Sequence, residues 1–238
     1  MADDWTIEHA CREAWPAERT TRVGDWLVTQ SGDASRRINS ASPATQDARL
    51  DDATLKAIEA RFVGTRPIFR IPDFLPDADS FLTRVGYAAP ETPTYTLARA
   101  LTAGAPSDVM LADRPTAAWL AARARFTDLI ESRHVDHAGA IARLVHPAAF
   151  ASLADHGALA YAAHIGDVIV IEAVATNPAH QRRGLARRCV AALLAWGADR
   201  GAATAALQVR ADNAPALALY RGMGFIHRYG YHYRRRGG

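Results

Sequence analysis

Lysine is almost missing from this chain: Lys56 is the only one, so arginine carries nearly all the basic charge. In an alanine-rich sequence the plain cause is codon composition. Basic residues number 28 against 25 acidic ones, for a net charge of +3. That balance gives no argument for a nucleic-acid partner. Cysteine is scarce as well. Cys11 and Cys189 stand in unrelated contexts, which excludes a disulfide framework and a paired-cysteine zinc site. His9, His134, His137, His227 and His232 form no recognised metal-ligand motif, so no metal is expected. No long apolar run occurs. The longest, Val168–Ile171, resumes after Glu172 as Ala173–Ala175, far short of the ~20 residues a membrane span needs. The opening Met1–Ala2–Asp3–Asp4 is acidic and has no signal-peptide features. These absences predict a soluble, cytoplasmic protein that is not membrane-bound.

What remains is core-forming material. Apolar residues make up 49% of the chain and charged ones 22%, which excludes a disordered chain. The segment from Asp167 to Thr176, DVIVIEAVAT, reads as a buried strand holding one carboxylate, stopped by Asn177–Pro178. AHQRRGLA then opens a helix with Leu185, Cys189 and Leu193 on one stripe. AATAALQV is a second buried strand. Asp212–Asn213–Ala214–Pro215 starts another helix, which ends near Gly222 and Gly224. A closing strand places Tyr229, Tyr231 and Tyr233 on one face. Upstream, Pro115–Phe126 and His134–Val145 read as helices. Ala148–Ala154 and Ala158–Ile165 read as strands joined at Asp155–His156–Gly157. Residues 108–238 therefore make a mixed α/β domain around a βαβ unit.

The first 107 residues are less regular. Trp26–Gln30 and Arg36–Ser40 read as a hairpin, Asp52–Phe62 and Asp77–Val85 as helices, and Pro67–Ile71 and Thr94–Leu101 as strands. A short internal repeat links the halves. FLTRVGY before YTLARAL matches LYRGMGF before YGYHYRR, each a helix end, a glycine, an aromatic and a strand. The expectation is a smaller, related and degenerate α/β domain over 1–107 preceding a C-terminal domain over 108–238. Trp15, Trp26, Arg36, Arg37 and Asn39 are candidates to line a pocket between the halves, with purely structural roles the plainer alternative.

The segment Gln181-Arg182-Arg183-Gly184-Leu185-Ala186 sits between a buried strand and an amphipathic helix. The first turn of a helix leaves N–H groups without internal partners, and the helix dipole adds partial positive charge. Gly184 has no Cβ, so a ligand can approach the backbone. Arg182, Arg183, Arg187 and Arg188 surround this start. Each cation there is unfavourable by roughly 0.3–1 kcal/mol, which makes sense if a polyanion such as a diphosphate occupies the site. A solvated basic patch is the plain alternative.

Together with Asn213–Phe225, NAPALALYRGMGF, this segment resembles the GNAT superfamily of N-acetyltransferases. The superfamily's phosphate-loop pattern, Gln/Arg-x-x-Gly-x-Gly/Ala, is met by Gln181, Gly184 and Ala186. Its downstream pattern is met by Asn213, Leu219, Tyr220, Gly224 and Phe225. The resemblance implies a mixed central sheet of the GNAT (acyl-CoA N-acyltransferase) type and acetyl-CoA as co-substrate. It implies that the amides of Gln181, Arg182, Arg183, Gly184, Leu185 and Ala186 hold the pyrophosphate. The strand end, Val174, Ala175 and Thr176, would pair with the pantetheine arm. Asn213 would touch the cofactor, and Tyr220 would protonate the departing thiolate. Tyr220 also has a plain reading, as a tyrosine packing its ring.

Glu172 is the candidate general base. A lone carboxylate in a buried strand is costly unless paired or useful, and desolvation would raise its pKa toward neutrality. Strict alternation puts it on the face of Val174. The alternative is a salt bridge to an arginine or to a histidine such as His164. Cys189, on the apolar helix stripe, is excluded as a nucleophile. The implied reaction is direct acetylation of a small-molecule or peptide amine by a monomer or homodimer. Two rival readings stay open: a non-catalytic acyl-CoA-binding regulatory module, and a nucleic-acid binder using the arginines and the tail Arg234–Arg236. The compact cluster and the absence of any reader motif weigh against the second.

Overall fold

The protein is described by a computed structural model over residues 1–32, 35–104, 108–126, 138–153 and 157–237. Among these residues the core is one eleven-stranded sheet of order β1-β2-β3-β4-β11-β5-β10-β9-β8-β7-β6. The strands are β1 (Arg19–Val23), β2 (Trp26–Gln30), β3 (Ala41–Pro43), β4 (Ile68–Pro72), β5 (Glu91–Ala100), β6 (Met110–Ala112), β7 (Ala148–Ser152), β8 (Ala158–Ile165), β9 (Val168–Thr176), β10 (Thr204–Arg210) and β11 (Ile226–Arg235). The helices are α1 (Asp4–Glu13), α2 (Asp52–Glu59), α3 (Pro76–Arg84), α4 (Ala117–Phe126), α5 (Leu185–Asp199) and α6 (Ala214–Arg221). This is the mixed α/β architecture the sequence predicts.

Two apolar layers sandwich the β7–β10 end of the sheet. One joins α5 and α6 to Ile169, Ile171, Leu207 and Val209. The other joins α1 and α4 to Val168, Val170 and Ala206. The split follows from the strand period of two, which sends adjacent side chains to opposite faces. Gly197 lets α5 seat tightly, because a Cβ there would lie 2.7 Å from Cδ1 of Ile169. A third cluster packs α2 and α3 on Trp26, Phe69 and Ile71.

The halves interleave at the sheet centre. β5, from the first half, lies between β11 and β10, while β11 crosses to pair with β4. The two repeat segments flank this seam alike. Tyr87 N–H donates to Leu82 O at 3.0 Å after Gly86, and Phe225 N–H donates to Tyr220 O at 3.1 Å after Gly224. Both glycines have positive φ, 86° and 81°, the left-handed helix stop that favours glycine.

Some boundaries differ from expectation. Arg36–Ser40 is not a strand. Arg36–Ile38 forms a 3-10 turn and pairing resumes at Ala41, because Arg36 and Arg37 reach distant carboxylates, Glu91 and Glu172. Two elements, α1 and β1, have no counterpart in the sequence pattern. Asp3 caps α1 by accepting from Thr6 N–H at 2.7 Å. Its buried stripe, Ile7, Ala10 and Cys11, is interrupted by buried Glu8. The expected helix over His134–Val145 lies partly outside the described residues, with 138–142 helical. The Asp155–His156 turn lies outside them entirely.

Candidate active site

The site is built on a split in the sheet. β9 and β10 run parallel but pair over only four positions, from Val168↔Thr204 to Ile171↔Leu207. Beyond these, β9 continues to Thr176 on β8 and β10 to Arg210 on β5. Their facing backbone edges, from Glu172 and Gln208 onward, are left without a strand partner. A ligand arm can pair there as an added strand would.

A bulge sits at the mouth of the split. Ala173 has φ 56°, and the β8–β9 register shifts between Leu159 and Tyr161. The bulge overturns the expected alternation. Val174 packs with the α5 layer, while Glu172 stays on the α1 side. Ala175 is buried in the α1 layer, and Thr176 ends the strand.

The helix after the split starts later than predicted. Asn177 accepts from Ala179 N–H at 3.0 Å in a 3-10 turn over Pro178–His180. The loop Gln181–Arg183 is exposed, and α5 begins at Leu185 behind Gly184. Arg182 (φ 60°) and Gly184 (φ 74°) are both left-handed, the geometry of a backbone nest for anions. A Cβ on Gly184 would meet nothing within 4 Å, so the space before the helix is open. Gly184 caps without a side-chain bond, and the first turn holds no acidic residue. Among the described residues the amides of Gly184, Leu185, Ala186 and Arg187 donate to no protein acceptor. The four arginines divide: Arg187 donates to Gly222 O at 3.1 Å and Arg188 pairs with Asp108. Among the described residues Arg182, Arg183 and Arg187 make no ion pair, so only Arg188 has its charge already met by a carboxylate.

Tyr220 lies on α6, 7% exposed, its ring edge-on to Phe225 at 5.9 Å. Among the described residues its hydroxyl makes no hydrogen bond. Burial, then the negative charge of Glu172, pushes its phenol well above the ordinary range. Tyr220 and Glu172 thus sense each other across the split, although Tyr220 lies in the α5–α6 layer and Glu172 on the α1 side of the sheet. Asn213 caps α6, accepting from Ala216 N–H at 3.2 Å. Cys189 is fully buried and its thiol is pushed up to about 12 by burial, consistent with an inert core thiol.

Glu172 is held by Arg37, a residue of the other half of the chain. The guanidinium donates to both carboxylate oxygens, at 2.9 and 2.6 Å, and to Cys11 O at 2.9 Å. Burial alone would lower the Arg37 pKa, but the Glu172 charge and hydrogen bond carry it well above its usual value. His164 is not the partner; it packs against Trp196 at 6.2 Å. Of the five pocket candidates, Trp15 and Arg37 line a cavity under α1, with Arg37 5.7 Å over the Trp15 ring. Trp26 is a core residue. Arg36 and Asn39 line a separate surface cleft.

Pattern reading missed the α1 contribution. Buried Glu8 pairs with Arg70 and accepts from the Tyr229 hydroxyl at 2.6 Å. Its only sequence signal is a carboxylate interrupting an apolar stripe. Among the described residues no group of side chains could hold a metal ion, and no helix is long and apolar enough to cross a membrane.

A split parallel pair, a bulged strand and a glycine-opened helix define the fold of GNAT-type N-acetyltransferases. The chain belongs to the family described as "Probable histone acetyltransferase Rv0428c C-terminal", whose pattern matches residues 2–234. It is 46% identical over 52 residues to the ribosomal protein bS18-alanine N-acetyltransferase of Escherichia coli (strain K12), covering 22% of this chain and 35% of that protein. It is 43% identical over 63 residues to a mycothiol acetyltransferase of Nocardioides sp., covering 26% and 20% respectively. The chain thus spans about a third or less of the curated relatives it matches. In three dimensions it resembles a GCN5-related N-acetyltransferase from Kribbella flavida, with a TM-score of 0.71 at 19% identity over 100% of this chain and 97% of that one. That likeness shows the fold.

Proposed function

We propose that the protein transfers the acetyl group of acetyl-CoA to the nitrogen of a primary amine by direct attack. The observation that carries this is the anion nest at Gln181–Ala186 beside a split strand pair, with Tyr220 and Glu172 on either side of the split. The unpartnered amides at Gly184, Leu185 and Ala186, with Arg182 and Arg183, suit a diphosphate. The free edge at Val174, Ala175 and Thr176 suits an amide-bearing arm. Asn213 closes the far side at the start of α6. When bound, acetyl-CoA supplies an activated acyl carbon and a thiolate leaving group.

The chain's own residues supply the rest. Glu172 takes the amine proton, directly or through water. Each of its oxygens spends one lone-pair direction on Arg37 and keeps one. The amides near Val174, at the bulge, polarise the carbonyl. Tyr220 keeps its proton at neutral pH, as a phenol does and as burial reinforces, and donates it to sulfur. One C–N bond forms, one C–S bond breaks, and the amine proton replaces the one given to the thiolate. Each acid or base contributes about 10²–10⁴-fold.

The N-terminal half, on this reading, is a degenerate copy of the same fold. Leu82 stands where Tyr220 does, and Arg37 comes from this half to position Glu172. The protein acts in the cytoplasm as a monomer or homodimer. A second reading, a non-catalytic acyl-CoA-binding module, is favoured by one observation: Arg37 engages both oxygens of Glu172. Incubation with acetyl-CoA and a panel of small and peptide amines, read by free-thiol release, separates the two. Amine-dependent thiol release is expected; acetyl-CoA binding without release from any amine would favour the module.

A further inference from the structure

We propose that the cavity between α1 and the β2–β3 hairpin is a binding site for a small carboxylate, and that the acceptor amine carries this carboxylate. The second clause rests on the acetyltransferase reading; the first stands without it. The cavity measures about 120 Å³, room for about four waters and so for a small organic acid.

Charge decides what it holds. Three guanidinium groups reach the cavity, those of Arg12, Arg37 and Arg70. Two are neutralised in place, Arg37 by Glu172 and Arg70 by Glu8. Arg12 makes no ion pair among the described residues. It donates from Nη1 to Pro43 O at 3.0 Å, and its buried Nε has no partner among the described residues. Burial is the main influence on this guanidinium and pushes its pKa down, outweighing the charges of Glu8, which is held by Arg70, and of Glu13, which lines the same cavity and lies 3.7 Å from His146 Nε2. A partly desolvated cation without a counter-ion calls for an anion.

A second orphan has the same sign of need. Gln208 lines the cavity, its Oε1 accepts from the Tyr231 hydroxyl at 3.3 Å, and its buried Nε2 donates to nothing among the described residues. Both unmet groups are donors, so the ligand must accept. A planar carboxylate, with two oxygens, matches a guanidinium edge and an amide together. Trp15, Leu27 and Ile38 supply an apolar wall, which suits a short aliphatic substituent. Position ties the cavity to the chemistry. Gln208 is the first β10 residue beyond the last β9–β10 pair, and Arg37 links the cavity directly to Glu172. A carboxylate held there leaves an attached amine to extend toward the split.

The test uses the full chain and thermal-shift titration with glycine, L-alanine, L-valine and acetate against glycinamide, L-alaninamide and L-valinamide, alongside acetyl-CoA. At least one carboxylate should raise the melting temperature saturably while its amide does not. Arg12→Met should lose that rise while its own melting temperature and its acetyl-CoA shift hold. Gln208→Leu should weaken it about tenfold, and this variant carries the test should Arg12→Met fail to fold. If acetyl-CoA shifts the protein and no carboxylate does, or if the carboxylate shift persists in both variants, the proposal is overturned and the acetyltransferase reading stands. If a carboxylate binds and acetyl-CoA does not, the site stands and the acetyltransferase reading falls. With an amino acid identified as acceptor, kcat/KM for the acid over its amide should fall at least about tenfold in Arg12→Met; unchanged selectivity would overturn the acceptor clause.

Discussion

Arg37→Met should destabilise the protein far more than loss of an ordinary surface ion pair. Arg37 comes from the N-terminal half and Glu172 from β9, and their side chains are 20% and 11% exposed. The variant leaves the carboxylate mostly buried with neither of its two guanidinium bonds. Removing one partner of a buried pair costs about 3–5 kcal/mol. Because a fifth of the Arg37 side chain stays wet, the lower end applies, about 3 kcal/mol. For a chain of this size that is about 6–12 °C in melting temperature. Replacing both partners, Arg37→Met with Glu172→Leu, removes the stranded charge and should recover much of the loss. Urea unfolding of the wild type, both single variants and the double variant gives the coupling energy directly. A coupling near 2–3 kcal/mol fits this account. A value under about 1 kcal/mol, typical of exposed pairs, would refute the claim that this bridge clamps the halves together.

Tyr220→Phe should lower kcat by about 10²-fold or more with acetyl-CoA affinity unchanged, since its hydroxyl bonds to no described residue. A loss below about threefold would remove the acid role. Glu8 predicts an acid-sensitive fold. Burial would raise its pKa, but the Arg70 charge and hydrogen bond, with the Tyr229 bond, bring it below the ordinary 4.5. A carboxyl depressed on folding contributes stability that is present above its unfolded pKa and lost as pH falls through the folded one. Melting temperature should therefore fall below about pH 4.5, and Glu8→Gln, less stable at neutral pH, should flatten that limb. An unchanged limb in the variant would reassign the acid sensitivity elsewhere.

The phosphate loop and the Tyr220 helix were legible because backbone chemistry dictates them locally. A strand ends at Asn177–Pro178, a glycine opens a helix, and Asn213–Ala214–Pro215 starts another. The bulge at Ala173 was not legible. VIVIEAVAT is apolar nearly throughout and carries no mark of a break, and the β8 register and side-chain packing show that Glu172 and Val174 part company. Nor could Arg37 be assigned to Glu172 across 135 positions, since local pattern carries no information on pairing at that range. α1 escaped because Glu8 and Arg12 interrupt its apolar stripe, and those interruptions serve the interior. The four arginines looked equivalent in sequence, yet Arg187 and Arg188 lie on α5 and are tied to Gly222 and Asp108. The likeness of FLTRVGY and LYRGMGF reflects a shared helix stop, a glycine followed by an aromatic, while the interleaving of β5 and β11 is a long-range outcome.

Calorimetric titration of the purified protein with acetyl-CoA, beside an Arg183→Glu, Gly184→Asp double variant, tests the central claim most directly. Saturable one-site binding by the wild type that the variant loses, with its fold intact by circular dichroism, is the predicted result. No binding by the wild type, or equal binding by both proteins, would contradict the assignment of the Gln181–Ala186 nest to the acetyl donor.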